Sequence, residues 1–485
     1  MTELQDTLTK CVRWAPPPAN FPIQVDEDAR TVTVAAGISQ RVLLDYLSEY
    51  THGKQPQGWT LPAFSWFIDQ TIGGAVATAT HGSSMRQGSL SSQVLELEAV
   101  LANGTLATFS PTSNEHLFRA FGVSAGRLGV ITKLKMRIMP QQSVQRTTQT
   151  LKFREFAAQV MATQEAYKAA KASGDEDAVQ QALFQVDETQ ALWLVERDTL
   201  WRVDYDHLYK EPSSVIENLN FSMIPTLSAY SGPDGQSVFA QVPKTPVAPN
   251  GLMTGNAAYW GVVFDAGAQV YVRPGTFETR KSYMSVTEST TSVSTTLAPY
   301  VQMEAAVPLE TAGTCLQSLN RLLYDGFWNR NPDSFRNPAL IRFVSGEPFY
   351  IAPTHGGPRM YLNIEDWLSL STGKLNQAYD DVLKTLRGPD CRGRLHWGKG
   401  GWPRYASCFD GATEYPDTWC HFGCAAHELD PTGKFQATGD GKTAIWKWYA
   451  TRNGTAADFA SCCGPNGFSA ECQCASRTDC VPGQL

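Results

Sequence analysis

Apolar positions recur with different periods along the chain and divide it into three stretches. From about residue 22 to 140 the period is mostly two. Thr31-Val-Thr-Val-Ala-Ala36 predicts a strand, Gly37 ends it, and Ser39 can cap a helix carrying Val42, Leu43, Tyr46 and Leu47. Residues 93–109 predict a hairpin, because Leu95, Leu97, Ala99 and Leu101 alternate with outward positions and Asn103-Gly104 supplies a two-residue turn. Residues 114–121 predict a short helix. Val130, Thr132, Leu134, Met136 and Ile138 then alternate with Lys133, Lys135 and Arg137 as a half-buried strand that Pro140 closes. Between about 141 and 460 helical periods join the strands. Residues 153–171, 309–323 and 373–386 predict amphipathic helices. Residues 339–351 and 359–365 predict two strands joined across Thr354-His-Gly-Gly-Pro358. Residues 461–485 have almost no aliphatic content. The pattern predicts an α+β fold with stretches at 1–140, 141–460 and 461–485.

Composition narrows the class. The 485 residues are 42% hydrophobic and 18% charged, with a net charge of −7, which leaves no electrostatic footprint for nucleic acid. No run approaches the ~18 apolar residues a spanning helix needs. The cysteines change the picture more. Of 11, nine fall between Cys391 and Cys480, while Cys11 and Cys315 stand apart. Dense cysteines in a loop-rich segment predict disulfide stapling in an oxidising compartment. The sequons at Asn103, Asn220 and Asn453 agree with that. Cys420, His421, Cys424 and His427 offer zinc ligands as the competing reading, but no second pair at finger spacing follows.

The most informative stretch is Ile72-Gly-Gly-Ala-Val-Ala-Thr-Ala-Thr-His-Gly-Ser-Ser84, followed by Gly88-Ser89. Small side chains permit close backbone packing, the bland reading. They also leave backbone N–H groups unobstructed, as a pyrophosphate requires. A second small-residue segment, Gly122-Val-Ser-Ala-Gly-Arg-Leu-Gly-Val-Ile-Thr132, suits backbone approach to the same ligand. Neither contains the dinucleotide-fold fingerprint.

Together these residues carry a resemblance. I-G-G-x-x-x-T-x-x-H-G-S, G-S-L, a hairpin ending in N-G-T, and L-G-V-I-T resemble the PCMH-type FAD-binding domain of vanillyl-alcohol-oxidase-type flavoproteins. His396-Trp-Gly-Lys399, the segment Ile341-Arg-Phe-Val with Arg359-Met-Tyr-Leu-Asn-Ile, and the cysteine tail resemble the aldonolactone oxidases, the L-gulono- and D-arabinono-1,4-lactone oxidases, with a plant-like tail. The resemblance implies an α+β substrate (cap) domain with an antiparallel sheet, FAD as cofactor, and oxidation of a sugar lactone with O2 as electron acceptor, in an ascorbate-type pathway. It implies that Ile72, Gly73, Gly74, Thr78, Thr80, His81, Gly82, Ser83, Gly88, Ser89, Gly126, Gly129 and Val130 hold the cofactor. It makes Arg342 and Lys399 the cations near the flavin, and His396 an acid/base or hydrogen-bond partner with a pKa suited to neutral pH.

Two departures from the family pattern stand out. Leu340 occupies the place of a glutamate in the family's Glu-x-Arg strand, which removes a hydrogen bond to substrate worth roughly 1–3 kcal/mol. The family's opening glycine-rich loop has no counterpart before Phe21, so roughly a hundred residues are expected to be missing, any signal peptide among them. The protein is therefore expected in the secretory pathway, outside the cell or at a membrane, with peripheral membrane association and oligomeric state left open. Two other readings also stay open: a non-catalytic secreted scaffold, and a flavin oxidase of another carbohydrate or alcohol.

Overall fold

The structure is a computed structural model. It describes residues 22–207 except 66, 67, 69, 142, 143, 184, 185, 196 and 197, together with 275–277, 300–327, 339–367, 377–399, 409–436 and 445–477. The sequon at Asn220, and Cys11, Cys408 and Cys480, lie outside the described residues.

The first layer is an antiparallel sheet of five strands: β1 (Ile23–Asp26), β2 (Thr31–Ala35), β3 (Val94–Val100), β4 (Leu106–Phe109) and β5 (Val130–Arg137), in spatial order β1-β2-β5-β3-β4. Its helices are α1 (Gln40–Glu49), α2 (Ile72–Ala77) and α3 (Glu115–Phe121). Local chemistry acts as expected at two ends. The Ser39 side chain accepts from Val42 N at the start of α1. Gly104, at φ +84°, turns the backbone between β3 and β4. On β5 the alternation buries Leu134 and Met136 completely, yet Val130, of the same parity, is 57% exposed. That exposed valine borders the cleft described below.

The second layer is an eight-stranded antiparallel sheet. It contains β6 (Val144–Leu151), β7 (Glu188–Leu194), β8 (Thr199–His207), β9 (Gly275–Phe277), β10 (Tyr300–Pro308), β11 (Ala339–Val344), β12 (Arg359–Trp367) and β13 (Arg394–Leu395), ordered β9-β6-β8-β7-β11-β12-β10-β13. Helices α4 (Phe153–Ser173) and α5 (Leu309–Asn320) pack against each other, and α6 (Gln377–Arg387) follows. In α4 the buried side chains Phe153, Phe156, Ala157, Val160, Gln164 and Tyr167 recur at helical spacing. The strand expected over 339–351 stops at Val344. The backbone beyond it loops, and Glu347 there binds the other layer.

The cysteine-rich segment does not stand alone. Helix α7 (Trp419–Leu429) is tied to it by Cys420–Cys474 and Cys424–Cys463, and Cys462–Cys472 closes a shorter loop. A small sheet of β14 (Tyr449–Arg452), β15 (Thr455–Ala457) and β16 (Gln473–Ala475) completes this unit. These bonds take Cys420 and Cys424 away from zinc. Cys315, which stands apart in the sequence, pairs with Cys391. Among the described residues no helix is long and apolar enough to cross a membrane.

Candidate active site

The two small-residue segments do meet. A cavity of about 290 Å³ is lined by Gly73, Gly74, Gly126, Gly129 and Val130, with Gly37, Thr71 and Ser124 beside them. At Gly37 and Gly126 an added Cβ would meet nothing within 4 Å, so backbone faces open space. Gly126 also holds φ +71°, a conformation that a side chain disfavours. An exposed valine, bare backbone and mostly small side chains, with Ile131 the largest, fit part of a dinucleotide laid along this wall.

The rest of the first segment serves otherwise. Ile72 is wholly buried and belongs to the core rather than to a cradle. Residues 72–77 are helical, so this half is not a loop of free donors. Thr78 Oγ1 donates to Gly74 O and lies 3.2 Å from Thr80 Oγ1. Gly82 packs on the backbone of Phe64, where a Cβ would come within 2.5 Å of the carbonyl oxygen. Ser83 Oγ donates to Thr189 O and accepts from Phe343 N. Ser89 gives both its N–H and its hydroxyl to the buried carboxylate of Glu347, and Gly88 leaves room for that side chain. Ser83 and Ser89 thus tie the first layer to the second, so their hydroxyls are not free for a phosphate.

Where the layers meet, five charged or titratable groups converge. Arg342 on β11 pairs with Glu304 on β10 and donates to His81 O at 3.3 Å. Glu304 is fully buried. Lys399 Nζ lies 3.8 Å from Glu304 Oε2 and donates to Gln302 Oε1 at 2.8 Å. Burial alone would raise the Glu304 carboxyl. Attraction to Arg342, joined by His81 and Lys399, outweighs it and holds the carboxyl well below the usual range. The ring of Tyr361, on β12 between the two strands, sits 3.8 Å from the His81 ring. Its hydroxyl, Arg342 Nε, Glu304 Oε2 and His81 Nε2 are buried without a hydrogen-bond partner. Several orphaned polar atoms in one place are unusual in a folded interior and fit a site that a polar ligand completes.

The two histidines are held in opposite tautomers. His81 Nδ1 lies 2.8 Å from the Gly82 carbonyl, an acceptor only, so Nδ1 carries the proton and Nε2 is bare, 3.4 Å from Glu304 Oε1. His396 Nδ1 accepts from Gly398 N at 2.9 Å, so its proton is on Nε2, facing the Ala79 carbonyl at 3.2 Å. Both His396 nitrogens are therefore engaged. Burial also drives its pKa down to about 3, which corrects the expectation of an acid/base poised near neutrality. His81 is lowered too, by burial and then Arg342, against the pull of Glu304. A metal could in principle use His81, Glu304 and His396. His396 is already doubly engaged, however, and Arg342 and Lys399 supply the countercharge that Glu304 needs.

Position 340 carries no carboxylate, but a neighbouring strand does. Leu340 and Glu304 both stand opposite Asn363, from the two sides of β12. The sheet thus supplies a glutamate from β10 on the face where Leu340 supplies none. The only signal in the sequence was a lone acid inside the apolar run Met303-Glu-Ala-Ala-Val307.

Comparison with known proteins agrees with this geometry. The profile described as FAD binding domain matches residues 20–110, and the profile described as D-arabinono-1,4-lactone oxidase matches residues 270–440. The chain thus carries one region that matches an FAD-binding domain and another that matches the aldonolactone oxidases. L-gulonolactone oxidase of Bos taurus is 24% identical over 426 residues, 86% of this chain and 81% of that protein. A putative D-arabinono-1,4-lactone oxidase of Neurospora crassa is 36% identical over 125 residues, 26% of this chain. That of Eremothecium gossypii is 35% identical over 133 residues, 27% of this chain. These two matches span only 21% and 24% of the fungal proteins. In fold the protein is similar to cholesterol oxidase from Brevibacterium sterolicum, with TM-score 0.59 at 14% identity over 88% of this chain and 83% of that one.

Proposed function

We propose that the protein oxidises a hydroxyl-bearing carbon of an aldono-1,4-lactone of the L-gulono, L-galactono or D-arabinono type, in an ascorbate-type pathway. The electrons pass to O2 and leave as H2O2. FAD, when bound, supplies the hydride acceptor at N5. The observation that carries the reading is the buried group of His81, Glu304, Arg342 and Tyr361 with its orphaned polar atoms.

Oxidation removes a hydride from carbon and a proton from oxygen. His81 Nε2, bare and neutral, takes the hydroxyl proton, and Glu304 beside it stabilises the resulting imidazolium. Gly82 O fixes the tautomer that this role requires. Arg342 and Lys399 attract lactone oxygens and offset the negative charge that develops on the hydroxyl oxygen as its proton leaves. His396 positions: it joins the first layer to the second through Ala79 O. We assign the protein to the secretory pathway or the cell exterior; four disulfides support that reading, since such bonds persist in oxidising compartments.

Two measurements test this. The purified protein should retain a flavin band near ~450 nm after desalting. With FAD present it should release H2O2 from at least one of the three lactones, and His81→Gln should lower kcat by roughly 10²-fold or more while keeping the flavin band. A flavin-loaded protein inert to all three lactones, or a His81→Gln variant of unchanged kcat, would overturn the assignment.

A further inference from the structure

Away from that cluster, the cysteine-stapled unit carries a second cavity of about 360 Å³, within the size range of small-ligand sites. Its wall includes Arg127, His427, Asp430, Trp446, Lys447 and Trp448. The indole planes are held rigidly. Trp446 stacks with Trp397, at 5.1 Å and 21°, and with Trp419, at 5.8 Å and 18°. Trp448 rests on Trp419 at 5.7 Å and on Phe459 at 6.2 Å. Plates fixed in this way lose little freedom when a ring is laid on them.

The polar atoms of the wall are unbalanced. Both carboxylate oxygens of Asp430 are occupied by its own loop, accepting from Lys434 N at 2.8 Å and Phe435 N at 2.6 Å. The donors are only partly used, since Arg127 gives Nη1 to Phe435 O. Trp448 Nε1 and Arg127 Nε are buried and have no partner. Arg127 is only 7% exposed, with its guanidinium 5.0 Å from the Trp446 ring centroid. Lys447 and His427 add exposed donors at the rim. A site with aromatic plates, surplus donors and a nearly buried guanidinium calls for a ligand with an apolar C–H face, many acceptors and a negative charge.

We propose that this cavity binds an anionic sugar ring, such as a uronic or aldonic acid, as a site separate from the lactone-oxidising cluster. The carboxylate faces Arg127 and Lys447, the ring lies on the indoles, and hydroxyl or ring oxygens accept from Trp448 Nε1.

Calorimetric titration of the full-length protein with D-glucuronate, D-glucose and benzoate tests this. Glucuronate should bind saturably, about ten-fold or more tighter than either control. Glucose lacks the charge, and benzoate lacks the acceptor-rich ring. Trp448→Phe keeps the plane and loses the donor, and Lys447→Glu reverses one exposed charge. Each should weaken glucuronate at least about three-fold while leaving the melting curve in place, and Arg342→Met should leave glucuronate binding unchanged. Absence of saturable heat, equal binding of glucuronate with glucose or with benzoate, or affinity lost in Arg342→Met but not in the two groove variants would overturn the proposal. None of these outcomes depends on oxidase turnover.

Discussion

Replacing Glu304 by glutamine removes one charge from a buried group and leaves its partners in place. Glu304 is wholly buried, and the side chains of Arg342 and Lys399 are only 7% and 15% exposed. At an effective dielectric of ~20, opposite charges ~4 Å apart attract by about 4 kcal/mol. Removing one partner of a buried pair costs roughly 3–5 kcal/mol, because the survivor is left uncompensated. Glu304→Gln should therefore lower unfolding stability by about 3–5 kcal/mol, read from urea unfolding of the cofactor-free protein by tryptophan fluorescence at pH 7. Pairing Glu304→Leu with Arg342→Met removes both charges. The double variant should lose at least about 2 kcal/mol less than the sum of its single changes. The pH dependence has a defined sign. A carboxyl held below its ordinary 4.5 contributes stability that is fully present above that value and is lost as pH falls through the folded value. The gap between wild type and Glu304→Gln should be flat above about pH 5 and shrink below it. A single variant within about 1 kcal/mol of wild type, an additive double variant, or a gap that widens in acid would refute the reasoning.

Two further outcomes follow from the cleft and the disulfides. Gly126→Leu forces a side chain into φ +71° and into the cavity. It should cost about 1–2 kcal/mol of cofactor-free stability and weaken FAD retention at least about ten-fold on desalting. Unchanged retention would mean that FAD does not lie along this wall. Replacing Cys420 and Cys474 by serine opens a link across 54 residues. It should destabilise the α7 unit by about 4 kcal/mol on the chain-entropy estimate, seen as early proteolytic cleavage there. Cleavage at the wild-type rate would show that packing alone holds the unit.

Features governed by near neighbours in the sequence were legible. Asn103-Gly104 announced its hairpin, Ser39 its cap, and the Phe153, Phe156, Val160 and Tyr167 spacing its helix. The glycines at 73, 74, 126 and 129 were legible as one wall because bare backbone has few other uses. Glu304 was not, because its meaning depends on the register that sets β10 and β11 on either side of β12. Without that pairing, Leu340 reads as a lost carboxylate. His396 misled for a related reason: its motif shows the ring but not the burial and the two backbone partners that keep it neutral. Ser83 and Ser89 looked like phosphate donors because the sequence does not show the second sheet that engages them.

The disulfide pattern around α7 imposes a timetable on synthesis. Cys420 leaves the ribosome 54 residues before its partner, a wait of roughly 3 to 11 s at ordinary elongation rates. During that interval the helix carries two reactive thiols, and when Cys462 and Cys463 emerge side by side a one-residue slip gives the wrong crosslink. A slipped pair is put right only by thiol–disulfide exchange, a step of seconds to hours against the microseconds in which a helix forms.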